Sequence, residues 1–109
     1  MKILHTQADF DAMLEHSGRE PVVLYKHSAS CPVSARAQEQ MAHIKHDLPV
    51  YALTVQYARD LSQHAAQTLG VTHETPQAIV LKDGAAQQDF SHGKIKSDTV
   101  SEAVTKAAA

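Results

Sequence analysis

One cysteine occurs in this chain, Cys31, within Lys26-His27-Ser28-Ala29-Ser30-Cys31-Pro32-Val33-Ser34. An apolar run, Val22-Val23-Leu24-Tyr25, precedes the stretch, and a helical pattern opens at Pro32. This arrangement places a thiol at the start of a helix. There the first backbone N–H groups have no helical acceptor and the helix end is partly positive. Both favour thiolate over thiol, so Cys31 is read as a low-pKa nucleophile. Ser34 stands in the Cys-X-X-Ser register, where its hydroxyl can donate to the thiolate but cannot act as a second thiol. A thiolate that attacks a disulfide without a resolving partner stays in a mixed disulfide until an outside thiol releases it. His27, four residues before Cys31, is a candidate to pair with the thiolate or to carry a proton to the leaving sulfur. A buried, structural cysteine is the plainer alternative. The helix start, the proline and the polar flanks Ser28 and Ser30 weigh against it.

The elements that must hold this turn follow from periodicity. Lys2 to His5 reads as a short strand. Thr6 caps a helix from Gln7 to about His16, with Asp9 completing a capping box and Gly18 closing it. Val22 to Lys26 is apolar on successive residues, as in a strand covered on both faces. Pro32 suits the first helical position. Ala37, Met41, Ile44 and Leu48 predict a helix running to about Asp47, stopped by Pro49. Val50 to Gln56 reads as the third strand. Asp60 to Leu69 reads as the third helix, capped by Asp60 and closed by Gly70. Ala78 to Lys82 and Ala86 to Phe90 are strands joined by Asp83-Gly84, a hairpin signal. Ser97 is the expected cap of a last helix, Asp98 to about Ala108. The order is β-α-β-α-β-α-β-β-α in a single domain spanning residues 1–109. It implies a mixed central sheet with parallel first strands, an antiparallel hairpin and helices on both faces. Sites in such open α/β sheets lie beyond the carboxyl ends of the strands, where the cysteine turn falls. The loop Thr72 to Gln77 contains Thr75-Pro76, a candidate cis-proline whose backbone could pair with a bound thiol as a strand edge does.

Composition narrows the function classes. The chain has 109 residues, 43% of them hydrophobic and 5% aromatic, so its core is mostly aliphatic. A formal net charge of −2 leaves no nucleic-acid footprint. No polybasic block or long apolar run points to a membrane, and the N-terminus does not read as a signal peptide. A cytoplasmic monomer is expected. Eight histidines invite a metal reading. His43 and His46 could share a helix face, yet no nearby acid or cysteine completes a site, so no metal is expected.

The cysteine stretch resembles the active-site signature of the monothiol bacilliredoxins, thioredoxin-like proteins of the bacillithiol system. His73-Glu74-Thr75-Pro76-Gln77 is similar to that family's cis-proline loop, and Ser91-His92 to its later polar loop. The departure is Gly93, where the family pattern has a bulky, often aromatic residue. A glycine offers no ring to stack on a ligand.

The resemblance implies a thioredoxin-like α/β fold and a thiol–disulfide oxidoreductase. Cys31 would remove bacillithiol from S-bacillithiolated cytoplasmic proteins. Bacillithiol would be co-substrate, with no cofactor bound, and a low-molecular-weight thiol or its reductase system would regenerate Cys31. Ser34 and His27 would assist, while Ser28, Ser30, Pro32, Thr75, Pro76, Ser91 and His92 would hold the thiol or its substrate.

Two readings from other classes stand beside it. One is an iron–sulfur carrier like the monothiol glutaredoxins, which visible absorption after anaerobic reconstitution would reveal. The other is a non-catalytic docking module, which an unreactive, alkaline-titrating Cys31 would indicate.

Overall fold

The computed structural model describes residues 1–28, 32–44 and 48–109, with the side chains of Val33 and Ser34 outside the description. Nine elements follow in order: β1 (Lys2–Ile3), α1 (Gln7–Ser17), β2 (Val22–His27), α2 (Pro32–Ala42), β3 (Val50–Thr54), α3 (Arg59–Leu69), β4 (Gln77–Lys82), β5 (Ala85–Ser91) and α4 (Ser97–Ala108). Single 3₁₀ turns lie at Val55–Tyr57 and His92–Lys94. The strands form one sheet in the order β1-β3-β2-β4-β5. β1 and β2 run parallel to β3, while β4 runs antiparallel to β2 and to β5.

β2 and β4 are central, which explains their unbroken apolar runs: both faces are covered. Alternation along the strands sorts their side chains into two cores. Val22, Leu24, Ile79 and Leu81 pack with Phe10, Met13, Leu61 and Ala65 of α1 and α3. Val23, Tyr25, Ala78 and Val80 pack with Ala37, Met41, Val100 and Val104 of α2 and α4. Each fully buried Val, Leu or Phe side chain contributes roughly 1.5–3 kcal/mol.

Local signals account for several boundaries. Thr6 Oγ1 accepts from the Asp9 N–H at 3.2 Å, and Asp9 Oδ2 accepts from the Thr6 N–H at 3.1 Å, so the capping box is complete. The His5 N–H, which donates to the same Asp9 oxygen at 2.9 Å, and the Thr6 N–H hold the Asp9 carboxyl below its usual value. Asp83 and Gly84 both have positive φ, 54° and 73°, as a two-residue hairpin turn of the right twist requires. Gly70 ends α3 in the left-handed region, with φ 65°.

Three expectations need correction. α2 stops at Ala42 rather than near Asp47, which lies outside the described residues. The His43 and Ile44 N–H groups turn back to the carbonyls of Gln40 and Met41, the tighter i→i−3 pattern that ends a helix. Asp60 is not a cap: α3 starts one residue earlier, and its N-cap is Ala58. Ser97 lies inside α4 behind Lys96. Its N–H is satisfied from another element, by Gln40 Oε1 at 3.1 Å. Smaller differences concern strand ends. β1 stops at Ile3, although the Leu4 N–H still reaches the Ala52 carbonyl, and β3 gives way to a 3₁₀ turn after Thr54. Among the described residues no helix is long and apolar enough to cross a membrane.

Candidate active site

β2 ends at His27 and α2 begins at Pro32, so the lone cysteine is the residue immediately before the first residue of a helix. Proline in that helical position forfeits no hydrogen bond, since the first-turn N–H groups have no helical acceptor. Cys31 and Ser30 lie outside the described residues, as does the side chain of Ser34. The seven other sequence-predicted site residues are described.

Four of them form one assembly. The Thr75–Pro76 peptide bond is cis. The Pro76 carbonyl accepts the His92 N–H at 3.0 Å, and Gln77 pairs with Ser91 across the β4–β5 ladder. His92 adopts φ 54° at the start of its 3₁₀ turn, with Nε2 3.5 Å from Glu74 Oε2. Strand pairing thus ties the Ser91-His92 loop to the cis-proline loop. Gly93 sits in the same turn with nothing within 4 Å of an added Cβ, so the position lacks a bulky side chain but has room for one.

The two residues at the end of β2 face opposite sides of the sheet. His27 lies on the α2 side, stacked on Tyr25 with ring centroids 5.2 Å apart and 2° between planes. Its Nε2 is 3.0 Å from Thr54 Oγ1, its register partner on β3. Burial lowers the His27 pKa, so the imidazole is neutral at pH 7. The same burial pushes the Tyr25 phenol up to about 12.

Lys26 points the other way and is fully buried, with 0% relative exposure. Its Nζ lies 2.7 Å from His73 Nδ1, and Ser62 Oγ is 3.3 Å from the same nitrogen. Desolvation lowers the Lys26 pKa from its ordinary 10.5 to about 8. His73 is also lowered, by desolvation first and by the nearby Lys26 charge second, with Glu74 opposing. At neutral pH the ammonium therefore donates to an unprotonated Nδ1, which puts the ring hydrogen on Nε2. No carboxylate lies within ion-pair distance of Lys26 among the described residues. Gln77, the register partner of Lys26 on β4, is 1% exposed. Its amide donates to the Thr72 carbonyl, while its Oε1 has no hydrogen-bond partner among the described residues.

Sequence reasoning did not anticipate this buried cation or its histidine, 47 residues apart. One signal was available: Lys26 shares a strand face with Val22 and Leu24 in what reads as a central strand.

Ser28 also reaches the α3 side, where its Oγ accepts from Gln56 Nε2 at 2.7 Å. Ser28 and Thr75 line one cavity there. Among the described residues no group of three or more His, Cys, Asp or Glu could hold a metal ion.

Comparison with known proteins agrees with this geometry. A solved structure described as a candidate oxidoreductase with a thioredoxin fold superposes with a TM-score of 0.86 at 33% identity, covering 94% of this chain and 91% of that one. Thioredoxin from Fasciola hepatica superposes at 0.76 with 18% identity over 98% of this chain and 99% of that one. Thioredoxin from Malassezia sympodialis gives 0.72 with 14% identity over 100% and 91%. At such identities the thioredoxins establish the fold alone. The mixed sheet with helices on both faces is therefore the thioredoxin fold, as the element order implied. The family model for the monothiol bacilliredoxin BrxC matches residues 2–100. That match leaves out little beyond the C-terminal part of α4, and the chain belongs to the monothiol bacilliredoxin family.

Proposed function

We propose that this protein is a monothiol thiol–disulfide oxidoreductase that strips bacillithiol from S-bacillithiolated cytoplasmic proteins through Cys31. The Cys31 thiolate attacks the bacillithiol sulfur of the mixed disulfide. A new S–S bond forms, the old one breaks, and the protein substrate leaves as a thiolate that takes up a proton. A second small thiol, deprotonated, then attacks the Cys31 adduct. Cys31 leaves as thiolate and a small-molecule disulfide is released. No electron acceptor is needed beyond the disulfide itself. Ser34 and the first-turn N–H groups of α2 stabilise the thiolate. The neutral imidazole of His27 takes or returns the proton. Ser28, Ser30, Pro32, Thr75, Pro76, Ser91 and His92 seat the disulfide.

One observation carries the reading. A chain of the bacilliredoxin family has a single cysteine, set directly before the helix that follows a central strand. A thiol so placed can accept a small thiol but has no partner within the chain to resolve the adduct.

The test is mass spectrometry of the protein after exposure to a bacillithiolated reporter. The expected result is one bacillithiol adduct on Cys31, release of the reporter thiol, and neither in Cys31→Ser. Transfer retained by Cys31→Ser overturns the mechanism. Release of the reporter without any adduct on the wild-type protein does the same.

A further inference from the structure

Between the end of β2, the 3₁₀ turn after β3, α3 and the cis-proline loop lies a cavity of about 420 Å³. Ser28, Gln56, Arg59, Ser62, Gln63, His73 and Thr75 supply its polar lining, and among the described residues no Asp or Glu lines it. Arg59 is exposed, and no carboxylate lies within ion-pair distance of it among the described residues. Lys26 does not line the cavity, but its Nζ lies 2.7 Å from Nδ1 of His73, which does. One cation at the rim and another behind an imidazole, with no anion between, make a positive potential confined by low-dielectric walls. Uncharged donors and acceptors complete the polar lining: the Gln56 amide, held against Ser28 Oγ, the Gln63 amide, and the hydroxyls of Ser62 and Thr75.

A neighbouring cavity of about 500 Å³ shares Gln56 and Arg59, but it includes Asp60 and does not reach Thr75. The cavity on the far side of the cis-proline assembly, lined by α2 and the His92-Gly93 turn, contains Arg36 and Lys96 but also the carboxylate of Glu39. Neither favours an anion as consistently as the first.

We propose that the Ser28–Arg59–Thr75 cavity seats the carboxylate-bearing arm of the small thiol exchanged at Cys31. Arg59 is thus the residue that selects acidic small thiols over neutral ones. Arg59 binds the carboxylate, and the buried Lys26 charge adds to the field without touching the ligand. A volume of about 420 Å³ suits the non-sulfur part of a small peptide-like or sugar-linked thiol. The cavity shares two residues with those proposed above to seat the disulfide: Thr75, which precedes the cis-proline, and Ser28, three residues before Cys31 in the sequence. This inference rests on the exchange reading above and adds to it the chemistry of the ligand.

The experiment uses one reporter protein with its single cysteine blocked either by bacillithiol, which bears carboxylates, or by neutral 2-mercaptoethanol. The readout is the ratio of kcat/KM for the two adducts. Arg59→Gln should lower the preference for the bacillithiol adduct about tenfold, the size of one charge-assisted hydrogen bond lost. An unchanged ratio overturns the proposal, because a merely structural role for Arg59 would depress both adducts alike. S-methylated bacillithiol, which cannot exchange, gives an independent reading by NMR titration of the intact protein. Shifts at Ser28, Gln56, Arg59 and His73 that vanish in Arg59→Gln support the cavity. Absent binding, or shifts confined to other faces, overturn it. Should the wild-type protein release neither adduct, the exchange reading fails, and the titration still decides what the cavity binds.

Discussion

Lys26→Met replaces a fully buried ammonium with an apolar side chain of similar length, and its effect on stability has a sign that depends on pH. In the folded protein desolvation holds the Lys26 pKa at about 8, against 10.5 when exposed. The folded pKa is depressed and the group is a base, so between these values the unfolded chain binds more protons than the native one. Stability therefore rises with pH through this window. Below pH 8 the native state bears the whole cost of a buried charge, about 3 kcal/mol for a shift of this size. By pH 9.5 that cost has fallen to about 1.4 kcal/mol, because most native molecules hold a neutral amine. The substitution also removes the hydrogen bond to His73, a loss of about 1 kcal/mol. His73 is exposed, and the Ser62 hydroxyl 3.3 Å from Nδ1 can donate to it instead, so no orphaned acceptor remains.

The expected outcome is a variant more stable than wild type by about 2 kcal/mol at pH 7 and nearly equal to it at pH 9.5. Urea denaturation of both proteins at the two pH values measures this directly, with equal m-values as the check on a two-state comparison. The Tyr25 phenol, pushed up to about 12, begins to matter only at higher pH and cancels between the two proteins. A variant less stable than wild type at pH 7, or a difference that does not change with pH, would refute the claim that Lys26 is a desolvated cation tolerated at a cost.

Gly84→Ala should destabilise by about 1 kcal/mol by chemical denaturation, since φ is 73° and an added Cβ meets nothing within 4 Å, leaving a purely conformational cost. The His27 ring should be neutral at pH 7 by NMR and titrate below 6.5; because its folded pKa is depressed, stability should fall as the protein is acidified through that range. An imidazolium signal for His27 at pH 7 would contradict its burial against Tyr25 and Thr54.

Periodicity in the sequence reports burial, and where burial and backbone conformation part company it misleads. Ala37, Met41, Ile44 and Leu48 were rightly grouped: the first three are buried and Leu48 packs against them. The helix nevertheless ends at Ala42, so Ile44 reaches the same core from a turn. The strands, the hairpin and the capping box were legible because each rests on residues close in sequence. Ser97 was not, because its N–H is satisfied by Gln40, 57 residues away. The Lys26–His73 contact is hidden for the same reason. Ser91 and His92 were chosen by resemblance. What joins them to Pro76 is the β4–β5 register, which the Asp83-Gly84 turn sets.

Two basic residues adjacent in sequence end up on opposite faces because a strand alternates, and burial lowers the pKa of both. His27 goes to the α2 side, stacked on Tyr25, where burial keeps it neutral and able to accept a proton. Lys26 goes to the α3 side and keeps its charge at neutral pH even at a pKa of about 8. The sheet thus carries a proton acceptor on one face and a fixed positive potential on the other, at the same strand end. Exchanging an acidic thiol asks for both: a base that takes the incoming thiol's proton and returns one to the departing thiolate, and a cation for the carboxylate. On this view moving either group to the other face would impair exchange even with Cys31 intact. Swapping residues 26 and 27 would put a lysine against Tyr25 in place of the stacked imidazole and would leave the cavity beside Arg59 without its second charge.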